Sequence, residues 1–296
     1  MDTKVTACVF GGLGNQLFIY AMARAFTLRT KNQLYLDMVS GFINDPYKRN
    51  YSLHHFNIEA KKANVFLSFT FTGGRYFRYI LRTYFSENIS WLIYRKELHN
   101  QYYDTKVKEI TSCKYLWLEG YWQSPLYFDD YLEEIRKDLE IISPICKENQ
   151  FIASEINSKN SIAIHIRRLR NELVGEENAL IKTLTLDYYY KAIDIISKQV
   201  SHPHFFCFSD SPDWVKENFV IPFPCTIVSH TQGIAKEYED IWLMKQCQHF
   251  IISNSTFSWW GSFLSCSNKD KIILCPPEHF WDNQDIIHKT MTCVNF

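Results

Sequence analysis

Apolar residues fall into short blocks separated by glycine, proline and asparagine, and the spacing inside each block predicts its structure. Val5 to Phe10 reads as a strand, Gly11 to Gly14 as a glycine-rich turn, and Asn15 to Arg29 as a helix. Gln33 to Leu36 follows as a second strand and runs into Asp37. Strand, helix and strand in that order form the building unit of a parallel sheet. The second half repeats this rhythm, with strands predicted at Ile162–Arg167, Phe205–Ser209, Thr226–Ser229, Phe250–Ser253 and Ile272–Cys275. Helices fit between them at Asp187–Lys198, Pro212–Asn218, Lys236–Gln246 and Ser258–Leu264. Such alternation predicts a doubly wound α/β sheet that binds its ligand beyond the carboxyl ends of the strands.

Between these regions the pattern blurs. Arg75, Arg78 and Arg82 recur at helical spacing beside Phe77, Ile80 and Leu81. This predicts an amphipathic helix with a solvated basic face, a membrane-surface or acceptor-docking patch being the alternative. Cys113–Leu118 reads as a strand and Asp129–Leu139 as a charged helix. Ser143 to Ser161 contains Pro144, Asn149, Asn157, Ser158 and Asn160, a composition suited to a domain boundary. We therefore expect domains over residues 1–155 and 156–296, as the length of 296 residues also favours.

Composition narrows the class. Lys plus Arg and Asp plus Glu both number 32, so the net charge is zero, which argues against a nucleic-acid coating protein. None of the nine cysteines is spaced C-x-x-C, so the set reads as reduced core cysteine. The N-terminus enters a strand directly, without the pattern of a signal peptide, and no run of about 18 apolar residues occurs. The expectation is a cytoplasmic protein, with peripheral contact at the inner membrane face left open.

Three motifs carry candidate chemistry. The first is Gly11-Gly12-Leu13-Gly14-Asn15-Gln16-Leu17-Phe18, where glycines between a strand and a helix admit a ligand close to the backbone. It partly matches a dinucleotide fingerprint, with Asp37 near the ribose position, but Leu17 stands where the third glycine belongs. The second motif ends a strand in His165-Ile166-Arg167-Arg168. Two adjacent arginines there need an anion or a carboxylate, so phosphate binding and a salt bridge are both open. His165 taken alone reads as a satisfied core histidine.

The third motif is Ser253-Asn254-Ser255-Thr256-Phe257-Ser258-Trp259-Trp260-Gly261, a strand end that opens a helix. Ser255 or Thr256 can cap that helix or help hold a diphosphate, and the tryptophans read as packing residues. Asp210 lies at another strand end, and Asp240 on a helix can accept paired bonds from a guanine edge or serve as a surface charge. No Asp-x-Asp triplet occurs, so no metal is expected, and donor phosphate charge falls to arginines and helix N-termini.

This set resembles glycosyltransferase family 11, the bacterial-type α-1,2-fucosyltransferases. Besides the motifs above, the resemblance is carried by Glu119-Gly120-Tyr121-Trp122-Gln123-Ser124, Leu186-Asp187-Tyr188-Tyr189, Phe208-Ser209-Asp210 and Glu239-Asp240-Ile241-Trp242-Leu243-Met244. It implies a GT-B-like fold of two Rossmann-like domains facing an interdomain cleft, with an N-terminal acceptor-side domain and a C-terminal donor domain. It implies metal-independent, inverting transfer of fucose from GDP-fucose to the 2-hydroxyl of a galactoside. In such a family Arg167 binds the β-phosphate, and Arg168 also belongs to the donor set. Ser255, Thr256 and Phe257 line the phosphate site, and Asn15 reaches in from the N-terminal turn. His165, Asp210 and Asp240 are the ribose or guanine contacts. The family follows His-x-Arg-Arg with Gly-Asp, whereas this chain has Leu169-Arg170, which leaves Glu172 as the substitute carboxylate near the acceptor. The competing readings are a nicotinamide-dependent oxidoreductase and a non-catalytic carbohydrate-binding protein.

Overall fold

The computed structural model describes residues 3–43, 45–64, 92–97, 102–110, 114–168, 184–229, 236–265 and 270–296. The basic segment around Arg75, Arg78 and Arg82, the Leu169-Arg170 departure, Glu172, Cys113 and Cys266 lie outside the described residues. The chain divides into two compact units, Met1–Ile142 and Ser143–Phe296.

The first unit holds a parallel five-stranded sheet. Its strands are β1 (Lys4–Cys8), β2 (Gln33–Asp37), β3 (Lys61–Lys62), β4 (Leu92–Lys96) and β5 (Tyr115–Glu119), in the order β3-β2-β1-β5-β4. Helix α1 (Leu13–Thr30) follows the glycine turn and is buried along nearly its whole length. Apolar and small residues line all its faces, from Leu17 and Phe18 to Ala21, Ala23 and Ala25, as a helix enclosed by its own domain requires. It ends at Lys31, which adopts φ 55°, and the N–H of Asn32 reaches back to the Thr27 carbonyl. The expected charged helix resolves into a 3-10 turn at Asp129–Tyr131 and helix α3 (Leu132–Asp138), after the single turn α2 (Lys106–Glu109). Asp138 accepts hydrogen bonds from Tyr20 Oη and Arg24 Nε, both at 2.7 Å, tying α3 to α1.

The second unit is built on six parallel strands: β6 (Asn160–Ile166), β7 (Pro203–Ser209), β8 (Cys225–Val228), β9 (His249–Ile251), β10 (Ile273–Cys275) and β11 (Thr292–Cys293). Their order is β11-β10-β9-β6-β7-β8. Helices α4 (Lys147–Asn157), α5 (Leu186–Ser197), α6 (Pro212–Asn218), α7 (Glu237–Met244) and α8 (Thr256–Leu264) complete it. Alternate residues of β6 divide between the faces: Ile162, Ile164 and Ile166 pack with Tyr188, Ala192, Ile193 and Ile196 of α5. His165 therefore points to the other face.

The boundary expected at 155/156 falls near the end of α4, an eleven-residue helix that belongs to the second unit. Its link to that unit is chemical. The buried Glu239 carboxylate on α7 accepts from the Cys146 N–H and from Asn149 Nδ2, so Asn149, one of the polar residues that suggested a linker, is bonded into the unit. Expected strands 162–167 and 250–253 are one and two residues too long at their carboxyl ends. Just past β6 the Arg168 N–H is taken by the Asp210 side chain rather than by a neighbouring strand. None of the seven described cysteines forms a disulfide. Among the described residues no helix is long and apolar enough to cross a membrane.

Candidate active site

Strand order locates the ligand-binding edge of the second unit. The chain runs from β6 outward to β7 and β8, then returns to β9 on the other side of β6. Loops leaving β6 and β9 therefore depart in opposite directions and open a crevice at their carboxyl ends. That is where the arginine motif and the hydroxyl motif meet. Arg167 Nη1 donates to Ser255 Oγ at 3.3 Å, and His165 Nδ1 lies 2.7 Å from Ser253 Oγ.

Ser255 occupies the cap position of α8 without bonding the helix N–H groups through its side chain. Its hydroxyl instead faces Arg167, so a guanidinium and a helix N-terminus converge. Asp210, from the end of β7, holds the arginine pair. Its Oδ1 accepts the Arg168 backbone N–H at 2.8 Å, and its Oδ2 lies 3.9 Å from Arg167 Nε. The Arg168 guanidinium stacks on the Trp214 ring at 3.9 Å. Of the two partners left open for the arginines, the carboxylate is present as Asp210, and Arg167 also reaches the Ser255 hydroxyl.

His165 is 5% exposed, and burial followed by the nearby Arg167 charge holds its pKa down at about 3. It adds no charge beside Arg167 at neutral pH. Through Ser253 it joins Ser258, whose Oγ contacts Ser253 Oγ at 3.4 Å. Phe257 lies 5.7 Å from the imidazole, and Thr256 begins α8. The structure thus gathers Arg167, Arg168, Asp210, Ser255, Thr256, Phe257 and the underlying His165 at one strand edge. Asp240 is half-buried on α7. Its neighbour Glu239 is the buried carboxylate there: burial pushes its carboxyl up, but the Cys146 and Asn149 bonds outweigh this and leave it below the usual range. Trp259 and Trp260 are wholly buried, as packing residues are.

The first unit has a switch point of its own, between β1 and β5. Asn15 lies there in the first turn of α1, and its Oδ1 accepts from Gln123 Nε2 at 2.9 Å. Gly11 has φ +79°, and a Cβ on it would stand 3.1 Å from both Asn15 Nδ2 and a Tyr121 ring carbon. A side chain here meets backbone strain and crowding together. We expect Gly11→Ala to cost about 1–2 kcal/mol, visible as a lower Tm, and to displace Asn15, visible as reduced turnover.

Sequence reasoning overlooked Gln16, Gln123 and Glu97. Gln16 is fully engaged: Nε2 donates to the Gly11 and Asn50 carbonyls, and Oε1 accepts from the Ser52 N–H. A glutamine at a glycine turn was the available signal. Asp37, near the ribose position of the dinucleotide fingerprint, is engaged locally. Its carboxylate is buried and bonded within its own turn to the N–H groups of Val39 and Ser40 and to the Ser40 hydroxyl. That engagement, with Leu17 in place of the third glycine, counts against the nicotinamide reading. Among the described residues no cluster of three or more histidine, cysteine, aspartate or glutamate side chains is placed to hold a metal.

Comparison with known proteins agrees with this geometry. An alpha-1,2-colitosyltransferase from Escherichia coli is 29% identical over 293 residues, covering 95% of this chain and 94% of the relative. The NodZ alpha-1,6-fucosyltransferase of Bradyrhizobium, soaked with GDP-fucose, superposes with TM-score 0.54 at 15% identity, over 89% of this chain and 93% of NodZ. A point mutant of Arabidopsis thaliana FUT1, in complex with GDP, gives TM-score 0.57 at 14% identity, over 95% of this chain and 72% of that one. The architecture of two parallel α/β sheets is thus GT-B-like, as expected. Residues 4–291 match the family description "Glycosyl transferase family 11", and the chain belongs to that family.

Proposed function

We propose that the protein transfers L-fucose from GDP-fucose to the 2-hydroxyl of a terminal galactoside, with inversion and without a metal, in glycan or surface polysaccharide synthesis. The observation that carries this reading is the meeting of Arg167 and Ser255 at the β6/β9 switch point, beside the first turn of α8. A diphosphate is the ligand whose charge and oxygen geometry suit a guanidinium fork, a hydroxyl and helix N–H groups together. The relative and the two structures named above support a nucleotide-sugar donor for this chain.

In the proposed reaction the bond from the sugar C1 to the β-phosphate oxygen breaks while the acceptor oxygen bonds C1 from the opposite face. Arg167 stabilises the charge gathering on the departing GDP, which is where fixed positive groups lower a barrier most. Asp210 keeps both arginines in place. Arg168, Thr256 and Phe257 complete the phosphate side, while His165, Asp210 and Asp240 are proposed to meet guanine or ribose. Asn15 contributes from the N-terminal turn. The acceptor proton leaves late in a transition state led by leaving-group departure, so the demand on a base is small. Glu172 is the carboxylate proposed for that part. We place this reaction in the cytoplasm, with the acceptor reached there or at the inner membrane face.

A donor panel tests the reading. GDP-fucose, GDP-colitose, GDP-mannose and UDP-galactose are each supplied with lactose, with and without a chelator, and products are analysed by NMR. We expect an α-1,2-fucosyl product from GDP-fucose at a rate the chelator leaves unchanged. Transfer from GDP-colitose alone would retain the family and discard fucose. Loss of activity with chelator would discard metal independence.

A further inference from the structure

The polar contacts at the first unit's switch point extend beyond Asn15. Glu97 follows β4 directly, next to β5, and its side chain crosses the carboxyl end of that strand. Its Oε2 accepts the backbone N–H groups of Tyr121 at 2.7 Å and Trp122 at 3.0 Å. Trp122 adopts φ 55°, a left-handed conformation uncommon for a bulky residue and one that persists only where surroundings hold it. Gln123 comes next and reaches Asn15. Gly120 is what allows the approach: a Cβ on it would stand 2.4 Å from Glu97 Cβ and 2.8 Å from Glu97 Oε2. Glu97, Trp122 and Gln123 are all buried, so the linkage is shielded from water.

We propose that Glu97 is a positioning residue for the transfer reaction, holding the strained Tyr121–Trp122 turn so that Gln123 fixes the amide of Asn15. The linkage spans the ends of β4, β5 and β1, three strands adjacent in the sheet although β1 lies far from the other two in sequence. Its first step rests on one carboxylate oxygen that serves two backbone donors; burial pushes the Glu97 carboxyl up, and those two bonds pull against it. Its last step sets which way the Asn15 amide points: Oδ1 faces Gln123 and Nδ2 faces Gly11. Loss of Glu97 frees the Trp122 backbone to relax out of the left-handed region, and Gln123 moves with it. Asn15 then samples several orientations where the intact turn allows one.

The part of this inference that concerns catalysis rests on the proposed role of Asn15, and a double-mutant cycle in the full chain tests it. Asn15→Ala, Glu97→Ala and their combination are compared for kcat and for GDP affinity. We expect Glu97→Ala to lower kcat by about 10–100-fold, in the range of a misplaced catalytic group, with GDP affinity unchanged. The double variant should match Asn15→Ala alone. Multiplying effects, or a Glu97→Ala enzyme with normal kcat, would overturn the proposal. Wild-type activity in Asn15→Ala would instead sink the assigned role of Asn15.

Hydrogen exchange supplies a readout independent of activity. Glu97→Ala should speed exchange in peptides covering residues 10–17 and 119–124, whereas Gln123→Ala should speed it in residues 10–17 alone. Unchanged exchange at 10–17 in both variants would show that Glu97 does not hold Asn15. Glu97→Gln keeps the shape and one acceptor oxygen, so it should recover most of the lost kcat and guards against misreading a folding defect. Failure of Glu97→Gln to recover activity while folding normally would count against the hydrogen-bonding role.

Discussion

Arg167→Ala is expected to lower kcat by about 10³-fold, the upper range for removing one fixed donor from a developing anion, while leaving the protein folded. Arg167 is partly exposed, and its side-chain interactions include Ser255 and the outer oxygen of Asp210. Packing of the second unit rests elsewhere, on the β6 isoleucines against α5 and on the buried tryptophans of α8. The Tm of the variant should therefore stay close to wild type. Arg167→Lys retains charge but loses the planar fork, and should fall between the two. Steady-state kinetics with a melting curve of each variant separates the effects. A folded Arg167→Ala enzyme with wild-type kcat would remove Arg167 from the mechanism.

The second large effect concerns stability at acid pH. Burial, with a smaller push from Arg167, holds the folded-state pKa of His165 at about 3, against a reference near 6.5. Below the reference value the unfolded chain binds a proton that the folded chain refuses. The stability that neutral His165 confers is therefore complete above that value and is lost as pH falls toward 3. The slope is about 1.4 kcal/mol per pH unit, which amounts to roughly 3 kcal/mol between pH 7 and pH 4. Asparagine can keep a polar contact to Ser253 but cannot titrate, so His165→Asn should lack this component. Denaturant unfolding of both proteins at pH 7 and pH 4 isolates it, because other titrating groups cancel in the difference. Equal pH dependence in the two proteins would show that His165 is protonated in the native state.

Much of the second unit was legible because its strands are continuous apolar runs that end abruptly in polar residues. Phe205–Ser209 into Asp210, and Ile251–Ile252 into Ser253, show the strand, its end and the candidate chemistry in one reading. What remained hidden depended on pairing that sequence order does not reveal. Glu97 follows a short run, Leu-Ile-Tyr-Arg-Lys, of mixed polarity, and becomes meaningful once β4 is placed beside β5 and β5 beside β1. Strands β3 and β11 are two residues long, too short to carry a period. On α7 the buried carboxylate is Glu239 rather than Asp240. One residue is a rotation of about 100° around a helix, and no local pattern in Glu237–Tyr238–Glu239–Asp240 says which acid turns inward. The division falls at 142/143 rather than 155/156, and Asn149, read as part of a linker, is a bonded partner of Glu239 within the second unit.

Calorimetric titration with GDP, GDP-fucose and NAD, in the presence of a chelator, tests the central claim most directly. The account predicts that the wild-type protein binds GDP and GDP-fucose, that Arg167→Ala weakens both, and that NAD does not bind. Binding of NAD without GDP would contradict it, because the crevice beside Arg167 and Ser255 would then not be a sugar-nucleotide site.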